Sequence, residues 1–226
     1  MLTKPYKFLD YYTEQDAQYF FGREREIRIL LYDVLVSRLV VLFAPTGTGK
    51  TSLINAGVRP RLKGRGYATF HIRVAKDPTE SARESLREKN LLPAQAEGQP
   101  LVDQLDGAVK QVEKPIVLFF DQFEEFFIHV TDAEQRRGFI SEIAKVFYND
   151  ESQIHVVFSM REEYFVDMDE FRDDIPSIFH NDSNLRLRWF DKAQAREAIV
   201  RPAQLAGGEW DESTKHTILT SKRKLL

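Results

Sequence analysis

The stretch LVVLFAPTGTGKTS, residues 39–52, decides the fold of this 226-residue chain. It opens with a continuous apolar run, residues 39–43, which is typical of a strand buried on both faces of a parallel sheet. A glycine-rich turn follows, and a helix is predicted from Thr51, stopping before Pro60. A strand, a glycine-rich loop and a helix in this order are the context that a phosphate-binding loop requires.

The loop APTGTGKT, residues 44–51, matches the phosphate-loop pattern, with Ala44 in the place of its first glycine. The loop glycines let the backbone turn so that successive N–H groups point at anionic oxygens, and the helix N-terminus adds partial positive charge. Lys50 is predicted to reach the β- and γ-phosphates, Thr51 to ligate Mg²⁺, and Ser52 to donate to the α-phosphate. The expected ligands are therefore ATP (or GTP), its diphosphate and Mg²⁺. The predicted nucleotide-binding residues of the loop are Pro45, Thr46, Gly47, Thr48, Gly49, Lys50, Thr51 and Ser52.

A second apolar strand ends in acidic residues, in the stretch IVLFFDQFEEF, residues 116–126. Asp121 follows the strand directly, at the sheet edge where ligands gather in open α/β folds. We expect it to hold the Mg²⁺ shell through water, although an ordinary strand-end cap is the simpler alternative. Glu124 and Glu125 are both candidates for the general base that polarises the attacking water, and the sequence does not choose between them. Their alternative role is to complement a helix dipole.

A third apolar strand is followed by Arg161, in HVVFSMREEY, residues 155–164. If this strand neighbours the strand of the phosphate loop, Arg161 faces the γ-phosphate. A guanidinium there distinguishes a triphosphate from a diphosphate by forked hydrogen bonds. The alternative is an exposed ion pair with Glu162 or Glu163, which contributes little to stability.

The rest of the chain completes an alternation of strands and helices. Further strands are predicted at residues 67–74 and 185–190, and polar residues with helix-capping spacing open helices at Thr13, Asp132 and Asp191. The pattern predicts an α/β fold with a five-stranded parallel sheet flanked by helices. We divide the chain into an N-terminal lead with adenine-side helices (1–36), the nucleotide-binding core (37–190) and the start of a truncated helical lid (191–226). The lid is predicted to contain a helix running into Pro202, then a loop and a helix from about Asp211.

Composition narrows the function classes. The formal net charge is −3, there is no cysteine, and no basic stripe interleaved with aromatics is present. Disulfides and thiolate metal sites are excluded, and nucleic acid is not an expected partner. The apolar stretches have the length of strands, so we expect no membrane span and a cytoplasmic protein.

With these motifs in place, the chain resembles the STAND class of signal-transduction ATPases with numerous domains, and in particular the bacterial group called novel STAND NTPase 1. The opening residues 5–26 resemble the aromatic-Gly-Arg-Glu motif of that family. The string DQFEEFF, residues 121–127, resembles the acidic pattern of NACHT relatives, and FSMREEYF, residues 158–165, resembles the sensor strand. Residues 195–203 resemble the entry to the helical lid.

The resemblance implies an AAA-like core in which Gly22 and Arg23 pack near the adenine and Pro202 marks the turn where the lid meets the nucleotide. It also implies a switch that is idle with ADP and forms homo-oligomers with ATP, in some relatives for antiphage defence. Many bacterial members resemble immune or antiphage proteins, with an effector at one end and a repeat-rich sensor at the other. This chain has neither, and its lid is cut short, so it is expected to be a fragment or a truncated product.

Three functions compete on this basis. The first is a regulatory switch that hydrolyses ATP slowly to control assembly. The second is an AAA-like nucleic-acid motor or loader, against which the near-neutral charge argues. The third is a nucleotide-binding module without turnover. A small-molecule kinase would need a basic lid segment, which the sequence does not show.

Overall fold

Five strands form the centre of the protein in a computed structural model that describes residues 5–7, 10–92, 96, 98–179 and 183–206. They all pair in parallel, in the order β2-β3-β4-β1-β5. The predicted α/β fold with a five-stranded parallel sheet is therefore confirmed. The strands are β1 (Leu39–Ala44), β2 (Ala68–Arg73), β3 (Ile116–Asp121), β4 (Ile154–Arg161) and β5 (Asn184–Arg186).

Helices connect the strands, and the polar residues predicted to open them do so. The side chain of Asp132 accepts a hydrogen bond from the Gln135 N–H, and Asp191 accepts one from the Gln194 N–H, which satisfies donors that a helix N-terminus leaves free. The α-helices are α1 (Glu24–Val36), α2 (Lys50–Ser52), α3 (Arg59–Lys63), α4 (Pro78–Glu88), α5 (Leu101–Val112), α6 (Glu124–His129), α7 (Ala133–Tyr148) and α8 (Lys192–Leu205). Segments of 3₁₀-helix lie at Glu14–Tyr19, Glu162–Phe171 and Pro176–Phe179, and a π-helical segment at Leu53–Val58.

Both faces of the sheet are buried, because side chains alternate between the faces along each strand. Val40 and Leu42 belong to the core on the face covered by α1 and the helix after the loop, whereas Val41 belongs to the core on the opposite face, which includes residues of α4, α5 and α7. The core on the face of Val41 is rich in phenylalanine. In it the Phe123 ring stacks on the Phe158 ring, with 4.0 Å between the ring centroids. Burial on both faces explains why the strands read as continuous apolar runs.

The strand order brings separate motifs to one edge of the sheet. Strand β4 lies between β1 and β3, and its last residue, Arg161, pairs in register with Ala44 at the end of β1. Asp121 at the end of β3 pairs with Ser159. The condition on which the prediction for Arg161 depended is therefore met, since its strand adjoins the strand of the glycine-rich loop.

The helix after the loop differs from the prediction, because it does not stop before Pro60. It continues from α2 through the π-helical segment into α3, which ends at Lys63. Pro60 lies in the first residues of α3, directly after the π-helical segment, so its missing N–H falls where the backbone bonding changes from one helix type to the other. The Gly57 carbonyl in the preceding turn accepts a hydrogen bond from the Arg61 guanidinium.

The prediction that the last helix runs into Pro202 and ends there is also wrong. Helix α8 passes through Pro202 to Leu205, so Pro202 does not mark a turn. The ring of Pro202 is buried, and the helix continues past it although the proline lacks the N–H that would bond one turn earlier. The helix predicted from about Asp211 falls outside the described residues.

Strand β5 is shorter than predicted and ends at Arg186 rather than near residue 190. One more backbone bond, from the Leu187 N–H to the Phe43 carbonyl, follows the strand. The chain then leaves the sheet, and Trp189 and Phe190 line a cavity beside the loop.

Candidate functional site

The glycine-rich loop connects β1 to α2 with two residues in left-handed conformation. Gly47 has φ +83° and Gly49 has φ +93°, a region that residues with a Cβ adopt only at a cost. The Thr48 hydroxyl closes the loop by donating to the Pro45 carbonyl at 2.9 Å. The first N–H groups of a helix have no intrahelical acceptor, so those of α2 are left to bind an anion.

Lys50 lies near the acidic residues that end and follow β3, Asp121 and Glu124. Its Nζ donates to the Ala44 carbonyl at 3.0 Å and contacts the Pro45 carbonyl at 3.4 Å. Burial lowers the pKa of Lys50 from its ordinary value, against the opposing influence of Glu124 and Asp121. A half-buried ammonium among carboxylates is poorly hydrated, which favours exchange of its carbonyl partners for an anionic ligand.

Asp121 is buried and accepts hydrogen bonds on both carboxylate oxygens. Oδ2 accepts from the Thr51 hydroxyl at 2.6 Å and lies 3.1 Å from His71 Nε2. Oδ1 accepts from the Ser159 hydroxyl at 2.8 Å and from the Gln122 N–H at 3.1 Å. Burial alone would raise the pKa of Asp121, but the hydrogen bonds from His71, Thr51 and Ser159 outweigh it and lower the pKa. The carboxylate is therefore ionised and holds the Thr51 side chain.

Glu124 is turned towards β4 by the backbone that follows Asp121. Gln122 adopts φ +59°, and the Phe123 N–H donates to the Ser159 carbonyl at 2.9 Å. Glu124 is only 5% exposed, and its two oxygens accept from the Nε and the backbone N–H of Arg161 at 3.0 and 3.1 Å. This carboxylate is therefore fixed beside the phosphate loop.

Glu125, the other candidate base, has a different partner. Its carboxylate lies 3.0 Å from His129 Nε2, one turn further along α6. The side chain is about a quarter exposed, unlike that of Glu124. The geometry thus separates two residues that the sequence left equivalent.

The ion pair of Arg161 differs from the alternative considered from sequence. Arg161 pairs with Glu124, whereas its neighbour Glu162 accepts hydrogen bonds from Arg186 at 2.8 and 3.0 Å. Sequence proximity suggested Glu162 or Glu163, but the turn after Asp121 brings Glu124 closer. The Arg161 side chain remains about one third exposed.

A cavity of about 690 Å³ adjoins the loop on the side of the N-terminal lead. Arg23 is 2% exposed; its guanidinium donates to the Thr48 carbonyl at 3.0 Å and lies 4.0 Å from the Phe190 ring centroid. The Ser52 hydroxyl accepts from the Tyr12 N–H at 3.1 Å, which ties the lead to the loop. The aromatic residues that line the cavity are Tyr12, Tyr19, Phe20, Phe21, Trp189 and Phe190.

Helix α8 closes the cavity through small residues. Ala195 and Ala198 line it, whereas Pro202 is not among its described lining residues. Gly22 touches the same helix: a Cβ at this position would lie 2.4 Å from the Gln194 carbonyl oxygen. Of the three residues carried over from the family resemblance, the structure places Arg23 in the cavity wall and Gly22 next to it in the chain, against α8, whereas Pro202 is not among the described lining residues.

Sequence reasoning missed the aromatic wall and His71. The sequence pattern places Trp189 and Phe190 in a strand and gives no link between the N-terminal aromatics and the loop, whereas both sets line the cavity. The available signal was their density on both sides of the core, at residues 19–21 and 189–190. His71 alternates with apolar residues in β2 in the same way as Thr69 and Arg73, and only the pairing of β2 with β3 shows its contact with Asp121.

Substitution of Gly22 by alanine tests the contact between the lead and α8. Gly22→Ala is expected to lower the free energy of unfolding by about 3 kcal/mol, because left-handed strain of about 1 kcal/mol adds to overpacking against backbone. Gly66 is the matched control, since its φ of +88° resembles the +86° of Gly22 but nothing lies within 4 Å of an added Cβ. Denaturant unfolding of Gly66→Ala should show the strain alone. Equal losses in the two variants would contradict a close contact at Gly22.

The oxygen ligands at this edge suit Mg²⁺ held jointly with phosphates. No group of three or more acidic or histidine side chains that is suited to a metal occurs among the described residues. The Thr51 hydroxyl beside the Asp121 carboxylate matches the preference of Mg²⁺ for few protein oxygens, water and phosphate oxygens. These residues therefore fit the metal as partners of a bound nucleotide.

A glycine-rich loop between β1 and α2, with Asp121 bonded to Thr51 in a parallel sheet, defines a P-loop NTPase. The sequence profile described as Novel STAND NTPase 1 matches residues 5–224. The chain therefore belongs to the novel STAND NTPase 1 family.

Solved structures of P-loop ATPases share the fold at low sequence identity. A Walker-type ATPase of Pyrococcus abyssi aligns with TM-score 0.63 and 15% identity over 94% of this chain and 65% of its own. The ORC2 protein of Aeropyrum pernix, in ADPNP–ADP complexes, aligns with TM-score 0.59 and 17% identity over 81% and 52% of the two chains. AMPPCP-bound DnaA from Aquifex aeolicus aligns with TM-score 0.57 and 15% identity over 94% and 61%. The chain thus spans between half and two thirds of these structures.

Two further results concern curated proteins and membrane-spanning helices. No curated protein matches the sequence significantly. Within the described ranges, no helix is both long and apolar enough to cross a bilayer.

Proposed function

We propose that this chain is a Mg²⁺-dependent ATPase that acts as a molecular switch. The observation that carries the proposal is the ion pair between Glu124 and Arg161, formed at the end of the strand next to the phosphate loop. A general base and a cation that reads the γ-phosphate are the two groups that an ATPase needs in addition to a phosphate loop. In this structure the candidate base and the candidate sensor form an ion pair with each other.

The loop residues bind the polyphosphate in this proposal. The backbone N–H groups at the start of α2 face the phosphate oxygens, and Lys50 exchanges its carbonyl partners, Ala44 and Pro45, for the β- and γ-phosphates. Thr51 supplies an oxygen ligand to Mg²⁺, and Asp121 holds that hydroxyl in place. Bound Mg²⁺ supplies positive charge that offsets the charge of the β- and γ-phosphates.

The nucleoside occupies the aromatic cavity beside the loop. A volume of about 690 Å³ falls within the range of sites for small molecules, and the aromatic lining suits a flat base. Arg23, which contacts both Thr48 in the loop and the Phe190 ring, couples occupation of the cavity to the loop. Adenine is the base we assign to this cavity.

Glu124 is the general base in this proposal, and Arg161 controls its availability. Oε1 of Glu124 accepts from the Arg161 guanidinium and Oε2 from the Arg161 backbone N–H, so movement of the guanidinium away frees Oε1 to accept a proton from water. A γ-phosphate within reach of Arg161 competes for the guanidinium and frees Glu124. Hydrolysis removes the γ-phosphate, and the ion pair forms again. In this proposal the ion pair is therefore broken in the ATP-bound protein and formed in the ADP-bound protein.

The role of Arg161 is tested by its preference between nucleotides. Arg161→Gln is expected to lower the ratio of ATP affinity to ADP affinity by about tenfold, because about one charge-assisted hydrogen bond to the γ-phosphate is lost. Isothermal titration with ATP analogues and ADP measures the ratio. Arg186→Gln is the control, since Arg186 also pairs with a glutamate beside β4 but lies at the exposed end of β5. An unchanged ratio in Arg161→Gln would contradict a sensor at this position.

The biological output follows from the family by analogy. We propose slow, regulatory hydrolysis, self-association in the ATP state, and a place in bacterial signalling or antiphage defence in the cytoplasm. The boundaries 1–36, 37–190 and 191–226 stay our proposed division into lead, core and lid. Sedimentation velocity with a non-hydrolysable ATP analogue against ADP measures self-association, and equal sedimentation in the two states would contradict the switch.

A further inference from the structure

The four donors to Asp121 come from four different parts of the chain. The Thr51 hydroxyl belongs to α2, and the Ser159 hydroxyl lies on the neighbouring strand β4. The third donor is the backbone N–H of Gln122, the residue that follows Asp121. The fourth donor is His71, from the edge strand β2. An ionised carboxylate has about four lone-pair sites, so this set fills the hydrogen-bonding capacity of Asp121.

We propose that His71 is a positioning residue for the metal site: its Nε2–H fixes Asp121 so that the Thr51 hydroxyl faces Mg²⁺. The proposal rests on the proposed function, and it assigns a role to a residue outside the loop and outside the acidic motif. His71 touches neither nucleotide nor metal in this account. It acts through Asp121.

The geometry of β2 and β3 supports the assignment. His71 pairs in register with Phe119, two residues before Asp121, so its side chain reaches diagonally to Asp121 Oδ2 on the same face of the sheet. That face also carries the helix that follows the loop. An ionised carboxylate cannot donate, so Nε2 carries the hydrogen in this contact.

The arrangement also shows what would change without the imidazole. Oδ2 would keep only the Thr51 hydroxyl as a donor, and a carboxylate only 4% exposed would lose one of its four hydrogen bonds. The carboxylate then finds a replacement donor, either by rotating or by admitting a water molecule. Either change moves the Thr51 hydroxyl. Groups that orient metal ligands typically contribute 10–100-fold to metal affinity.

The test compares His71→Ala with His71→Gln, whose amide nitrogen reaches about the position of Nε2. The readout is the rise in thermal unfolding midpoint that ADP causes across a Mg²⁺ titration, which needs no turnover. His71→Ala is expected to raise the half-saturating Mg²⁺ concentration about tenfold or more. Stabilisation by ADP without Mg²⁺ should not change, because the loop is intact. His71→Gln should restore Mg²⁺ dependence to within about threefold of the unmodified protein, since it keeps the donor.

The outcomes separate the two proposals. Wild-type Mg²⁺ dependence in His71→Ala would overturn the role of His71, and so would an equal loss in His71→Gln and His71→Ala. Should His71→Ala not fold, His71→Asn replaces it, because its amide is too short to reach the Nε2 position. Absence of any nucleotide-dependent stabilisation in the unmodified protein would instead overturn the proposed function.

Discussion

Replacing Lys50 by alanine is expected to weaken ATP binding by at least about a hundredfold. The ammonium lies at the phosphate loop, and two charge-assisted hydrogen bonds to phosphate oxygens contribute about 3 kcal/mol or more, which corresponds to this factor. The fold should survive, because Lys50 is only partly buried and its hydrogen-bond partners in the protein are two backbone carbonyls, those of Ala44 and Pro45. Isothermal titration with ATP and Mg²⁺ measures the change.

Lys145 provides the matched control for this substitution. It lies on α7, pairs with Glu142 three residues earlier and is about half exposed. Lys145→Ala removes the same charge from the protein and should leave the ATP dissociation constant within about twofold, since exposed pairs contribute little. A Lys50→Ala variant that binds ATP as tightly as this control would contradict the assignment of the loop.

Replacing Glu124 by glutamine is expected to slow ATP hydrolysis by about a hundredfold or more while ATP still binds. The amide keeps the shape of the side chain but cannot accept the proton of the attacking water, and general-base catalysis contributes about 10²–10⁴ in rate. The substitution also weakens the ion pair with Arg161. ATP affinity should therefore stay equal or increase, because the guanidinium is more easily drawn to the γ-phosphate.

Glu125→Gln is the control for this second prediction. It makes the same chemical change one residue further along α6, where the side chain contacts His129. Its turnover should stay within about threefold of the unmodified protein, with single-turnover phosphate release as the measurement. A slow Glu125→Gln with a normal Glu124→Gln would transfer the role of base to Glu125. Normal turnover in both variants would remove general-base catalysis by either residue.

Local sequence patterns were sufficient for the sheet and for the loop. The apolar run before Ala44 predicts a buried strand, and the glycines after it predict left-handed turns. Both features depend on only a few consecutive residues. The same holds for Asp121 at the end of β3, since ligands gather at the carboxyl edge of a parallel sheet. Capping residues such as Asp132 and Asp191 likewise act on backbone groups three residues away.

Contacts between distant segments were not predictable from the same patterns. The partner of Arg161 depends on the left-handed turn at Gln122, and that of His71 on the pairing of β2 with β3. Neither feature has a local signature. The average behaviour of proline predicts helix ends at Pro60 and Pro202, whereas both lie within continuous helices, Pro60 directly after the π-helical segment and Pro202 three residues before the end of α8.

The insertion of β4 between β1 and β3 has a consequence for how this protein folds. Strand β1 is complete at Ala44, but its neighbour β4 begins only at Ile154, more than a hundred residues later. During synthesis neither edge of β1 can pair until the second half of the chain has been made. Until then its apolar side chains remain exposed to solvent, which favours aggregation. Nucleotide would stabilise only molecules in which this late pairing has occurred, so its presence during refolding should raise the yield of soluble protein.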